Sequence, residues 1–203
     1  MALSKIDVAN MITGATPVAN GGTGLTSGTT NQFLKFTGST TLASAADNTG
    51  KINQMITMSS TSATTTTASS FSDTNLTASI TPSATNSKIL IYITDNVQVV
   101  FNGTNNDQGM AFRIKRTIGG SNTTLDQDDQ PYQGLYASLG DTSMSNIRQH
   151  ISLHSVDTSH NTTSEITYVH QISSYRGNSG ALSASVHDNN RGNMTLIEVL
   201  AWL

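Results

Sequence analysis

A chain of 203 residues that is 35% hydrophobic and 11% charged falls short of the roughly 45–50% apolar and about 25% charged content of ordinary globular domains. Its net charge of −3, with 10 Lys and Arg scattered along its length, lacks the clustered cations that neutralise phosphates, so nucleic acid is excluded as a partner. With no cysteine, neither a disulfide framework nor a cysteine-ligated zinc site can form.

The apolar deficit is filled by Ser, Thr, Asn and Gly, whose local hydrogen bonding favours turns and strand ends over helix interiors. Residues 1–51 alternate small apolar clusters, Ile6/Val8, Met11/Ile12 and Phe33/Leu34/Phe36, with Gly14, Gly21, Gly22, Gly24 and Gly28. The clusters are too small and too far apart to bury one another within one chain. The segment is therefore expected to be extended and ordered by contact with other chains. Its start carries Asp7 and has no apolar run of the signal-peptide kind. The longest apolar stretch, Met194 to Leu203, is interrupted by Thr195 and Glu198 and is shorter than the ~20 residues of a membrane helix. A soluble protein without membrane insertion is expected.

Residues 52–70 read as a Ser/Thr-rich connector, centred on the low-complexity run Thr61 to Ser70, because β-branched Thr disfavours helix. From residue 71 the pattern is one of strands. Ser72 to Ile80 alternates, and Pro82 to Ser87 supplies a turn. Lys88 to Ile93 and Val97 to Phe101 are dense β-branched runs, followed by a loop from Asn102 to Asp107. Phe112, Ile114, Arg116 and Ile118 alternate with Arg113, Lys115 and Thr117 until Gly119-Gly120 ends the strand. Leu135 to Leu139, Ile147 to Val156, Ile166 to Ile172, Ala181 to Val186 and Thr195 to Ala201 complete the set. No segment sustains a 3.6 period with caps, so the expected fold is all-β, an antiparallel β-sandwich of jelly-roll type over residues 71–203.

The last of these strands is apolar on both faces, with Met194, Leu196 and Leu200 on one side and Ile197, Val199 and Ala201 on the other. Either it is a central strand covered on both sides, or one face packs on the core and the other on a neighbouring subunit. Leu196, Ile197, Val199 and Leu200 are the expected core and subunit contacts.

Motifs for chemistry are sparse. Asn20-Gly21-Gly22-Thr23-Gly24 lacks the Lys and following helix of a phosphate loop and the βαβ context of a dinucleotide fingerprint. His150 and His154 share a strand face, but four residues along a strand span about 13 Å, too far for one metal ion. Asp126, Asp128 and Asp129 make an acidic loop without EF-hand spacing, a solvated loop or at most a weak cation site. Glu165 and Glu198 are the only glutamates, and no pair of carboxylates facing across a groove can be read from the pattern. The expectation is no enzymatic activity and no cofactor. Aromatic side chains beside polar loops are the candidates for ligand contact: Tyr132 and Tyr136 next to the acidic loop, with Asn105 and Asp107 in the neighbouring one. Tyr175 and Trp202 are further aromatics of the same kind.

The stretch Asp7 to Gly14, then Pro17-Val18-Ala19-Asn20-Gly21-Gly22-Thr23-Gly24 and Asn31 to Gly38, resembles the N-terminal and shaft segments of bacteriophage tail fibres and related virion fibres. Phe71 to Pro82 leading into Ser87 to Ile91, and the closing strand Met194 to Ala201, resemble the C-terminal heads of marine phage fibres. The resemblance implies a homotrimer with a jelly-roll-like head. It also implies an N-terminal segment that docks on another virion protein, with Ile6, Val8, Met11 and Ile12 as its attachment residues. The Gly/Thr zone is short for a long fibre, so a short tail fibre, a tail tip or a capsid fibre fits equally. The expected location is the virion, assembled in the host cytoplasm. Alternatives are a host-glycan-binding adhesin module or a capsid decoration protein without a receptor role; a polysaccharide depolymerase is disfavoured by the missing carboxylate pair.

Overall fold

The computed structural model describes residues 25, 28–39, 41–45, 51–100, 107–127, 134–138, 146–176, 183–186 and 191–200. The chain divides into two units, one of Met1–Thr49 with Leu203 and one of Gly50–Trp202.

In the first unit, β1 (Phe33–Phe36) and β2 (Leu42–Ala45) form an antiparallel hairpin, Phe33 opposite Ala45 and Phe36 opposite Leu42. Phe33, Leu34 and Phe36 remain exposed. A two-stranded hairpin has no second layer to cover its apolar side chains.

The second unit is all strand among its described elements: β3 (Ile52–Ser60), β4 (Thr64–Thr66), β5 (Ser72–Ile80), β6 (Lys88–Val100), β7 (Asp107–Ile118), β8 (Ser121–Gln127), β9 (Leu135–Ser138), β10 (Asn146–Asp157), β11 (Ile166–Arg176), β12 (Ser183–Val186) and β13 (Gly192–Val199). One sheet runs β3-β13-β6-β12-β4 with β10 on the other side of β6, and the second runs β5-β11-β7-β8 with β9 beside β7. Every pairing is antiparallel. The expected all-β class and antiparallel sandwich are those observed.

Alternation decides which side chains meet between the sheets. From β6, Ile89, Ile91, Ile93, Val97 and Val99 are buried; from β5, Leu76, Ala78 and Ile80; from β7, Met110, Phe112 and Ile114; from β11, Ile166, Tyr168 and Ile172; from β13, Met194 and Leu196. Burying one such aliphatic side chain stabilises by about 1.5–3 kcal/mol. The core falls into two clusters, one around Ile89, Ile91, Ile93, Ile166 and Leu196, the other around Val97, Val99, Met110, Phe112 and Ile172. Asp95 on β6 and His170 on β11 occupy the boundary, both fully buried, with Oδ2 and Nδ1 3.3 Å apart.

Three departures from the sequence reading have physical reasons. Residues 52–70, expected as a connector, contribute β3 and β4 to the sheet of the head. Gln54, Ile56 and Met58, at period 2 and opposite Glu198, Leu196 and Met194, make a strand pattern that the neighbouring Ser/Thr run obscured. Two expected strands around residues 88–101 are one continuous strand, β6, which runs straight through Thr94-Asp95-Asn96. Its polar break is spanned by the ladder to β10, in which Thr94, Asp95 and Asn96 pair with Ser152, Ile151 and His150. Finally, Gly119 and Gly120, at φ 54° and 84°, do more than end β7. They form a two-residue hairpin turn in which both central residues are left-handed, and β8 pairs back along β7, Ile118 opposite Ser121. With Leu125 its one large aliphatic residue, β8 carries little apolar signal. Asp126, expected in a loop, lies on this strand; Asp128 and Asp129 lie outside the described residues.

Candidate interaction surface

Besides Asp95, which faces His170 in the interior, three carboxylates have partners that hold them in place: the buried Glu198 and Asp157 and the exposed Asp73. Glu198 sits on the inner face of β13, fully buried. Its Oε1 accepts from the backbone N–H and hydroxyl of Ser83, at 2.7 and 3.0 Å, and its Oε2 from the side-chain amides of Asn53 and Gln54, at 2.9 and 2.7 Å. Burial alone would raise its pKa, but these donors bring it down to about 2. A carboxylate so held stays ionised and offers no proton to a substrate. It clamps β3 and the Pro82-Ser83 turn to β13.

Asp157, at the end of β10, receives Arg116 Nη1 at 2.8 and 2.9 Å and the Tyr168 hydroxyl at 2.8 Å. Burial opposes its ionisation, and the Arg116 and Tyr168 hydrogen bonds outweigh it, so its pKa is lowered. Burial, and then the adjacent Asp157 charge, drives the Tyr168 phenol upward. This network ties β7, β10 and β11 together.

The third, Asp73, is on the outer face of the five-stranded sheet. Lys115 Nζ donates to it at 2.6 Å, Gln171 donates to its other oxygen, and Arg113 donates to Gln171 while its guanidinium lies 4.3 Å from the centre of the Phe71 ring. Its partial burial pushes upward, but the Lys115 and Gln171 hydrogen bonds hold its pKa below the usual carboxylate range.

The histidines are divided in the same way. His150 and His154 lie exposed on the outer face of β10. His160 is buried in the loop after β10, with Nε2 2.8 Å from the Ser87 carbonyl and Nδ1 3.1 Å from that of Thr162. Among the described residues no three His, Cys, Asp or Glu side chains gather where a metal ion would sit.

Of the residues proposed for ligand contact, Tyr136 on β9 is placed on the outer face of the five-stranded sheet. It is paired across Gly109 with Tyr175 of β11, the two rings 6.3 Å apart. Register alone brings Tyr136, Gly109 and Tyr175 side by side, which no sequence pattern signals because the three residues are far apart in the chain. Asp107 begins β7, while Asn105 and Tyr132 lie outside the described residues, as do Ile6, Val8, Met11, Ile12 and Trp202. A shallow cleft of about 340 Å³ is lined by Phe112, Gly134, Gln149, His150, Ile151, Ser152 and Leu153.

The residues expected at subunit contacts separate by face. Leu196 is fully buried in the core of its own sandwich, Ile197 and Val199 are half-buried on the outer face, and Leu200, also half-buried, donates its N–H to the Lys51 carbonyl at 3.0 Å. The two-sided apolar pattern of β13 thus has one side in the core, shared with Glu198, and the other side outside. There Ile197 stands directly between Met55 of β3 and Leu90 of β6, and Leu90 stands opposite Val156 of β10. This makes an apolar row across four strands. Met55 is 65% and Val156 50% exposed.

The sequence matches no protein-family model and no curated protein. Among solved structures, the VP2 protein of infectious bursal disease virus in its subviral particle is similar over 82% of this chain and 41% of that one, at 12% identity and a TM-score of 0.40. VP2 of the Gx strain of the same virus is similar over 82% and 40%, at 12% identity and a TM-score of 0.33. This chain spans about two fifths of the length of those proteins. A likeness at these scores leaves the assignment of function to the chain's own residues. Among the described residues no helix is long and apolar enough to cross a membrane.

Proposed function

We propose that this chain is a structural, non-enzymatic virion protein, a bacteriophage fibre subunit that acts as a homotrimer. In this reading residues 1–51 dock on another virion protein and the sandwich of residues 52–202 is the displayed head. The reading rests on the resemblance of Asp7 to Gly24 and Asn31 to Gly38 to fibre segments. The observation that carries it in the structure is the apolar row Met55–Ile197–Leu90–Val156, left on the outer face of the sandwich. A head that assembles with its own kind has a use for such a surface; a solitary monomer does not. The carboxylates Glu198 and Asp157 support the non-enzymatic part, because both are saturated by structural donors. Localising the chain in purified particles by cryo-microscopy and by antibody against the head tests the reading. Projecting density of three copies is expected, and a chain absent from intact particles would overturn it.

A second reading, contact with a host surface glycan, is favoured by the Tyr136–Tyr175 ring pair. Aromatic faces beside hydrogen-bonding side chains suit sugar rings, which present C–H groups on one face and hydroxyls at the edge. Glycan-array binding that disappears in Tyr136→Ala and Tyr175→Ala would establish it; binding unchanged by either substitution would remove these residues from it.

A further inference from the structure

We infer that the outer face of the six-stranded sheet, from the β3 edge across the Met55–Ile197–Leu90–Val156 row, faces the threefold axis of the proposed homotrimer and packs there against the corresponding face of the other copies of this chain. The inference rests on the oligomeric part of the function proposed above and names the surface that joins the heads.

Two independent features of the head converge on this face. The first is the row itself, which Tyr92, Val199 and Ile52 widen: Val199 pairs with Ile52, and Tyr92 lies one row away, opposite Thr195 and His154. Ile52, Met55, Tyr92 and Val156 are 61, 65, 46 and 50% exposed. Together with the half-buried Ile197, Val199 and Leu90 they form a largely apolar patch, a feature that is often functional where it is contiguous. The second feature is the edge. β3 pairs with β13 on one side and, among the described residues, with no strand on the other. Its nine residues, Ile52–Ser60, include no charge and no proline, the usual means by which an edge strand is kept from pairing with another chain.

The occupant follows from charge and connectivity. The side chains facing outward along β3, β13, β6 and β10 include Lys88 and Arg148 as the only permanently charged ones among the described residues; Lys88 flanks the row opposite Val199, and Arg148 lies farther along β10. A charged partner would find no acidic group there to recognise. An identical face brings its own apolar row to the contact and requires no charged counterpart. The chain also enters the head at β3, directly after residues 1–51. In the reading proposed above, where residues 1–51 gather the copies, β3 is the strand that follows them in each copy.

The absence of cysteine makes the test direct. Full-length chain carrying Met55→Cys is treated with a short bis-maleimide, beside a control carrying Asn122→Cys on β8 of the opposite sheet. Covalent dimer is expected to form at least tenfold faster from Met55→Cys, and adding Tyr92→Lys and Val156→Lys is expected to abolish that excess while the β-sheet circular dichroism is kept. Cross-linking no faster than the control, an excess insensitive to the two lysines, or a chain that sediments as a monomer at tens of micromolar each overturns the inference. The two proposals fail separately. A chain that cross-links through Met55→Cys but is missing from virions keeps this interface and loses the fibre assignment. One present in virions without the cross-link does the reverse.

Discussion

On the outside of the five-stranded sheet, Asp73, Lys115, Gln171 and Arg113 form one hydrogen-bonded network, Ser79 meets Thr167 at 2.8 Å, and the Thr117 hydroxyl donates to Asn122 at 2.8 Å. On the outside of the six-stranded sheet, the corresponding cross-strand positions hold Met55, Ile197, Leu90 and Val156, with Thr57, Thr195, Tyr92 and His154 in the next row. Both sheets close over the same interior, so the contrast owes nothing to the needs of the core. A sheet face that stays in water gains from charges and hydroxyls that pair with one another and with solvent. A face with an aliphatic row across four strands keeps that area in water at a cost unless something covers it. On the interface proposed above, the difference between the exteriors is a difference of surroundings, solvent for one and another copy of the chain for the other.

The sharpest way to break the comparison is to damage what the two faces share. Asp157→Ala leaves the Arg116 guanidinium buried without its carboxylate partner, and is expected to cost about 3–5 kcal/mol, read from urea unfolding. If the loss is that large in a variant that cannot assemble as well as in wild type, the interior is common property and the exteriors can be compared independently.

Glu198 comes next. Its folded pKa of about 2 lies below the ordinary 4.5, so its contribution is fully present above pH 4.5 and is lost as pH falls through 2. That contribution is on the order of 3 kcal/mol. Glu198→Gln is expected to lose about 2 kcal/mol at pH 7 and to flatten stability between pH 5 and 2, as chemical denaturation at stepped pH will show. A variant as acid-sensitive as wild type would assign that sensitivity elsewhere, Asp157 being lowered in the same direction.

On the polar exterior the effect shrinks. Lys115→Ala removes an ion pair whose carboxylate side is half exposed, worth under about 1 kcal/mol and less in high salt. A loss well above that would mean the network is structural rather than a solvated face. The smallest effect on folding belongs to the apolar exterior. Met55→Lys is expected to change unfolding free energy by less than about 0.5 kcal/mol in dilute protein while weakening self-association, measured by sedimentation. Folding stability that falls with it by several kcal/mol would place Met55 in the core and remove the contrast.

Much of the head was legible along the chain. The alternation Leu76, Ala78, Ile80 and that of Phe112, Ile114, Arg116, Ile118 fall on β5 and β7, because period-2 patterning is a local signature of a sheet with one covered face. β8 and β3 were not legible: the first is polar and short of aliphatics, and the second is masked by its Ser/Thr neighbourhood. The Tyr136–Gly109–Tyr175 arrangement and the Glu198 clamp were equally hidden, since each joins residues from three or more separate strands and turns.

What the amino-acid order determined by itself is the β class, the turns at Pro82 to Ser87 and Gly119-Gly120, and the two-sided apolar character of β13. These depend on backbone preference and on nearest-neighbour alternation, which act within a few residues. Which side of β13 faces the core, that a carboxylate shares that side, and that Met55, Leu90 and Val156 line up with Ile197 on the other were decided only by register. Register joins strands from positions 55, 90, 156 and 197, and a displacement of one residue would turn each of these side chains to the opposite face.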